Sequence, residues 1–141
     1  MQHTLKIKEI EISAGQYLPV NFGNCHNLHG HNYLLKNLVL TTEGIVDFKH
    51  IKNCLKIFDH CILAPTQDEA FWDEMAQHAH NWCYEKKKDA PCLFMITYIQ
   101  TGDKVTVEYL ALSIQKELLK IEGVKEVHFE LYETKNNGVV V

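Results

Sequence analysis

Two stretches of the chain alternate apolar and polar residues with a period of two, and this restricts the fold to one built on a half-buried sheet. At 4–13, TLKIKEIEIS, the apolar Leu5, Ile7, Ile10 and Ile12 are set against Lys6, Lys8, Glu9 and Glu11. The parity slips near Glu9, which predicts a bulge. At 124–133, VKEVHFELYE, the alternation returns. Successive strand residues point to opposite faces, so such a pattern buries one face and leaves the other to water. Antiparallel sheets with one covered face have this signature.

The remaining segments supply the cover. Residues 29–42 read as a second strand, ended by Gly44. Between the first two strands, 14–28 holds Gly15, Pro19, Asn21, Gly23, Asn24 and Asn27 and reads as a loop. A long irregular connection between adjacent strands points to function. Phe48, Ile51, Leu55 and Phe58 lie at helical spacing, with Asp47 as N-cap. The short run Asp59-His60-Cys61-Ile62-Leu63 follows. Residues 67–88 predict a second helix with Phe71, Met75, His78 or Ala79, and Trp82 along one face. Residues 92–100, CLFMITYIQ, predict a strand ended by Thr101-Gly102-Asp103. The clearest helix is 106–120, capped by Thr106, with Leu110, Ile114 and Leu118 on one face and Glu122-Gly123 as its stop. With no repeat, low-complexity tract or linker, the expectation is one α+β domain over 1–141, its helices on one face of an antiparallel sheet.

Composition narrows the function classes. The chain has 141 residues, a net charge of −4 and no arginine, and its lysines form no stripe beyond Lys86-Lys87-Lys88. Nucleic-acid binding therefore has no footprint. No apolar run reaches the ~18 residues that span a bilayer, and the first residues lack the apolar core of a secretory signal. The expected location is the cytoplasm. The cysteines, Cys25, Cys54, Cys61, Cys83 and Cys92, are odd in number and irregular in spacing. That argues against a disulfide framework and for reduced thiols.

Three groups carry candidate chemistry. In Cys25-His26-Asn27-Leu28-His29-Gly30-His31, His29 and His31 are two apart at a strand start. Extended geometry puts their side chains on one side, about 7 Å apart, a spacing that suits two ligands of one zinc ion. Cys25 precedes them on the loop, where a metal or cation activates a thiolate. The plain structural alternative is a histidine-rich loop with a buried thiol. Asp59-His60 is an Asp-His pair of the kind that orients an imidazole as a general base, although adjacent side chains in an extended segment need not touch. Glu133, at the end of the last strand, is a carboxylate that can accept two N–H donors from a guanidine-like ring edge.

Taken in order, these motifs resemble the 6-pyruvoyl-tetrahydropterin synthase / 6-carboxy-tetrahydropterin synthase family over nearly the whole chain. Ile12-Ser13-Ala14-Gly15-Gln16-Tyr17-Leu18 is similar to its Phe-Ser-Ala-x-His-x-Leu. Cys25-x-x-x-His29-Gly30-His31-Asn32-Tyr33 is similar to its Cys-x-x-x-His-Gly-His-x-Tyr. Gly44-Ile45-Val46-Asp47-Phe48, Phe58-Asp59-His60, Thr106-Val107-Glu108 and Glu133-Thr134 resemble its later motifs. The resemblance implies a tunnelling fold, with a four-stranded antiparallel sheet and two main helices per subunit. It further implies a homotrimer or homohexamer with sites between subunits. It implies a lyase acting on 7,8-dihydroneopterin triphosphate and giving 6-carboxy- or 6-pyruvoyl-tetrahydropterin, the 6-carboxy branch leading toward deazapurine nucleosides such as queuosine. One Zn2+ per subunit would be held by His29, His31 and the residue at position 16. Cys25, Asp59 and His60 would be catalytic, and Thr106, Glu108 and Glu133 would bind the pterin.

The chain departs from the family pattern in two places. Gln16 stands where the family has a ligand histidine, and an amide oxygen is a weak zinc ligand beside imidazole. Either Gln16 coordinates weakly, or another group such as His26 completes the shell, or the metal is lost and a pterin- or purine-binding paralogue remains. Residues 66–104 form an insert containing the second helix and the 92–100 strand, an edge decoration in one reading and a lid or oligomer contact in the other. A small metal-binding protein using Cys25, His26, His29 and His31 is a third reading, which leaves Asp59, His60 and Glu133 unexplained.

Overall fold

The computed structural model of the chain describes residues 1–18, 23, 24, 26–86 and 98–141. The readings that fall on Cys25, on Lys87-Lys88 and on 92–97 lie outside these residues. The frame is a long ribbon of two antiparallel strands, β1 (Gln2–Gln16) and β2 (His29–Glu43). Its pairing runs from Gln2 opposite Glu43 to Gln16 opposite His29. The slip near Glu9 is present. Leu5 and Ile7 point to the covered side, but beyond Lys8 and Glu9 the even residues Ile10, Ile12, Ala14 and Gln16 do so. The partner strand switches at the same level, from Leu40 and Leu38 to Leu35 and Tyr33. There Asn37 adopts φ 53°, the left-handed turn of backbone that absorbs the irregularity.

After β2 come helix α1 (Phe48–Leu55), a 3-10 turn (Lys56–Phe58) and β3 (Cys61–Ala64). Asp47 caps α1 by accepting the Lys49 N–H at 2.8 Å. A second 3-10 turn (Thr66–Asp68) leads to α2 (Glu69–Lys86), followed later by β4 (Tyr98–Gln100). Helix α3 (Val107–Leu119), β5 (Val124–Tyr132) and β6 (Gly138–Val140) complete the chain. Thr106 caps α3, and Leu110, Ile114 and Leu118 are fully buried. Gly123, at φ 89°, turns the chain into β5; a Cβ there would lie 2.7 Å from the Glu43 carbonyl oxygen. Helix α3 packs on β5 and β6, and α1 packs on α3. Together with the ribbon they enclose one core.

The sheet corrects the four-stranded antiparallel expectation. It has six strands, in the order β4-β3-β1-β2-β5-β6. It is mixed: β3 runs parallel to β1 and to β4, while the other pairs are antiparallel. The run CILA at 61–64 is continuously apolar and largely buried, as suits a short strand between parallel neighbours. Segment 61–100 is thus a strand–helix–strand crossover that widens the sheet, and among the described residues there are three helices, the two main ones and the one expected in the insert. Strand β3 meets β1 only at Ala14 and Gly15.

The expected apolar face of α2 is also corrected. Phe71, Met75 and Trp82 are exposed, and the stripe turned inward is Trp72, Ala76, Ala79 and Cys83. Its steps of four, three and four follow the helical repeat as well as the aromatic series does. Among the described cysteines Cys54 and Cys61 are free. No described helix is long and apolar enough to cross a membrane.

Candidate functional site

The ribbon alternation decides which groups meet. His29, His31 and Tyr33 share the covered face of β2, and their register partners Gln16, Ala14 and Ile12 share that face of β1. The His29 and His31 rings stand 4.9 Å apart, edge to face, and Tyr33 follows 5.7 Å from His31. The HxH spacing therefore does bring the two imidazoles side by side. His29 Nδ1 lies 2.6 Å from the Asn27 carbonyl oxygen. A carbonyl only accepts, so Nδ1 carries a proton, and in the neutral ring Nε2 is the acceptor nitrogen.

Glu133 enters from the other end of the chain. It lies one residue past β5, where its backbone N–H donates to the Asn137 carbonyl at 3.0 Å across the turn into β6. Its carboxylate Oε1 accepts from Gln16 Nε2 at 2.9 Å and lies 3.4 Å from His31 Nε2. The Gln16 Oε1 in turn accepts from the Tyr33 hydroxyl. Gln16 is 2 % exposed and Tyr33 0 %. Burial, with the charge of Glu133 second, holds the Tyr33 hydroxyl well above the usual phenol range. Tyr33 is the participant that sequence reasoning passed over. Its signal was its place two residues beyond His31, since a buried tyrosine hydroxyl needs a partner.

Asp59 and His60 do touch. His60 Nδ1 is 2.8 Å from Asp59 Oδ2, and Asp59 Oδ1 accepts the Ser13 N–H at 2.9 Å. The Ser13 N–H is the main cause that lowers the Asp59 carboxyl below its usual range, with His60 adding to it. The contact arises because His60 sits at φ 58°, outside the extended backbone in which neighbouring side chains diverge. A non-glycine residue there is uncommon and is held by its surroundings; the His60 N–H donates to the Ser13 carbonyl at 2.6 Å. His60 and His31 line one shallow cleft with Ser13 and Asn32.

The other candidates fall elsewhere. The Thr106 hydroxyl accepts the Tyr109 N–H as cap of α3, and Glu108 is exposed in its first turn. Among the described residues no hydrogen bond or ion pair joins either to Glu133. The two free thiols are not primed as nucleophiles. Burial pushes Cys61 up to about 11 and also raises Cys54. His26 Nδ1 is 2.7 Å from the Gly23 carbonyl oxygen. No three described His, Cys, Asp or Glu side chains are grouped to hold a metal ion.

Known proteins share this architecture and sequence. The profile of the family described as 6-pyruvoyl tetrahydropterin synthase matches residues 6–141. A 6-carboxy-5,6,7,8-tetrahydropterin synthase of Rickettsia conorii is 28% identical over 148 residues, covering 95% of this chain and 96% of its own. A 6-pyruvoyltetrahydropterin synthase of Plasmodium vivax, solved as a catalytic-residue mutant, superposes with a TM-score of 0.58 at 16% identity, over 100% of this chain and 97% of its own. The Plasmodium falciparum 6-pyruvoyl tetrahydropterin synthase gives 0.56 at 15% identity, over 99% and 96%.

Proposed function

Because the chain belongs to the 6-pyruvoyl tetrahydropterin synthase family, we propose that it is a carbon–oxygen lyase of the tetrahydropterin synthase type, converting 7,8-dihydroneopterin triphosphate to 6-carboxy- or 6-pyruvoyl-tetrahydropterin. The observation that carries this reading is the meeting of Glu133 with His31 and Gln16, which sets a carboxylate beside two imidazoles at the end of the ribbon. In this reading Glu133 accepts the N–H edge of the pterin ring. Cys25 takes a proton from the substrate side chain, and His60, oriented by Asp59, passes protons on. Thr106 and Glu108 contact substrate from another subunit of a homotrimer or homohexamer.

The family implies a zinc ion, and the described donors do not fit one. His29 and His31 are suitable imidazoles. The Gln16 oxygen, however, is engaged by the Tyr33 hydroxyl, and its nitrogen is a donor to Glu133. Two imidazoles fall short of the three protein ligands of a catalytic zinc site. Restoring the imidazole by Gln16→His should raise zinc affinity in calorimetric titration. An unchanged affinity would mean that residue 16 does not face the metal position or that another ligand already fills it.

The engagement of Gln16 favours a second reading, a catalytically altered paralogue that binds a pterin or purine-like ring through Glu133. One assay separates the two. The protein is incubated with 7,8-dihydroneopterin triphosphate, with and without added zinc, and the products are identified by chromatography and mass. A 6-substituted tetrahydropterin establishes the lyase and its branch. Intact substrate together with measurable neopterin binding supports the paralogue. Neither turnover nor binding overturns both.

A further inference from the structure

We infer that Gln16 is a positioning residue that aims the Glu133 carboxylate, through a buried relay beginning at the Tyr33 hydroxyl. The inference rests on the reading of Glu133 as the ring anchor and adds the group that orients it.

The chemistry of an amide makes the relay directional. The Tyr33 hydroxyl donates to Gln16 Oε1, and Gln16 Nε2 donates to Glu133 Oε1 at 2.9 Å. Turning the amide over would set its oxygen against the carboxylate, two acceptors facing each other, and the network therefore selects one orientation. Gln16 is 2 % exposed and Tyr33 0 %, so water does not substitute for the bond between them. A leucine would leave the buried Tyr33 hydroxyl unpaired and the carboxylate with His31 but without its amide donor, and a glutamate would place like charges together. The bond takes one acceptor site of Oε1 and leaves the others for a ligand. Among the described residues no hydrogen bond or ion pair engages Oε2, so that oxygen is left for the ring edge while Oε1 is held. Fixing the plane of an acceptor before binding removes an ordering cost from the binding step.

The test is a double-mutant cycle on the full chain, read as the Kd of neopterin by fluorescence titration. Gln16→Leu should weaken binding about tenfold, Glu133→Gln by a similar factor, and the double variant no further than Glu133→Gln alone. Gln16→Leu with Tyr33→Phe removes the orphaned hydroxyl and keeps the cycle measurable if Gln16→Leu alone fails to fold. A merely structural Gln16 would lower the melting temperature without coupling to Glu133. Parental affinity in Gln16→Leu, or additive losses in the double variant, would overturn the positioning role while leaving the anchor intact. Parental affinity in Glu133→Gln would overturn the anchor, and the relay with it.

Discussion

Gln16 and Tyr17 are consecutive, yet they belong to two different networks. Gln16 looks to Tyr33 and Glu133, so its partners stand on β2 and at the end of β5. The Tyr17 hydroxyl donates to Asp68 and accepts from Trp72 Nε1 at 3.0 Å, so its partners stand on the crossover segment. Burial, with the Asp68 hydrogen bond second, pushes Tyr17 up to about 12. The first network hangs on continuous strand pairing and on the buried side chains of Gln16 and Tyr33. The second hangs on a helix whose Phe71, Trp82 and Tyr84 are 54%, 42% and 70% exposed. The difference separates a site frame that the sheet fixes by itself from a clamp that a later segment adds. Both hold the chain where it leaves β1 toward Cys25.

The sharpest contrast comes from Cys25 itself. Cys25→Ala should take turnover below detection while leaving the melting temperature and neopterin affinity at parental values. Unchanged turnover would remove Cys25 from the mechanism. Next in size, Trp72→Ala should cost about 3–5 kcal/mol of stability in denaturant unfolding, yet leave neopterin affinity within about twofold, on the order of 0.4 kcal/mol. An affinity that falls with stability would mean that the two networks act as one. The smallest effect concerns Asp59. Its carboxyl lies below the usual range, so the stability it adds is present above that range and is lost as pH falls through the lowered value. Asp59→Asn should therefore melt a few degrees lower near neutral pH and converge with the parent in acid. A constant offset across the titration would show that the amide costs stability by its shape alone and that the charge contributes nothing.

Local pattern carried much of this architecture. The parity break at Lys8 and Glu9 is written in Leu5-x-Ile7 followed by Ile10-x-Ile12. The α3 face is written in Leu110, Ile114 and Leu118. The same periodicity placed His29 and His31 side by side. Features that depend on distant partners were not legible. Cys61–Ala64 shows no alternation, and its parallel pairing depends on Ala14 and Gly15 far back in the chain. Helix α2 offers two apolar stripes of similar spacing, and only the docking of Trp72 against Tyr17 chooses between them. Glu133 was identifiable as a candidate, but its bond to Gln16 spans 117 positions and no motif spacing encodes it.

The brief contact of β3 with β1 has a consequence of its own. Among the described residues only Ala14 and Gly15 are paired on that side, so from Gln2 to Ile12 the described ladder of β1 has β2 alone as its partner. Along this stretch alternate backbone amides point away from β2, over an edge edged by Lys6, Lys8, Glu9 and Glu11. In a separate subunit those amides exchange their hydrogens with solvent quickly, while their sequence neighbours, tied to β2, exchange slowly. A subunit that laid a strand against this edge would slow the fast set and leave the slow set unchanged. Isotope exchange along a single strand is thus a clock that runs at two rates in the lone chain and at one rate wherever its edge has been taken.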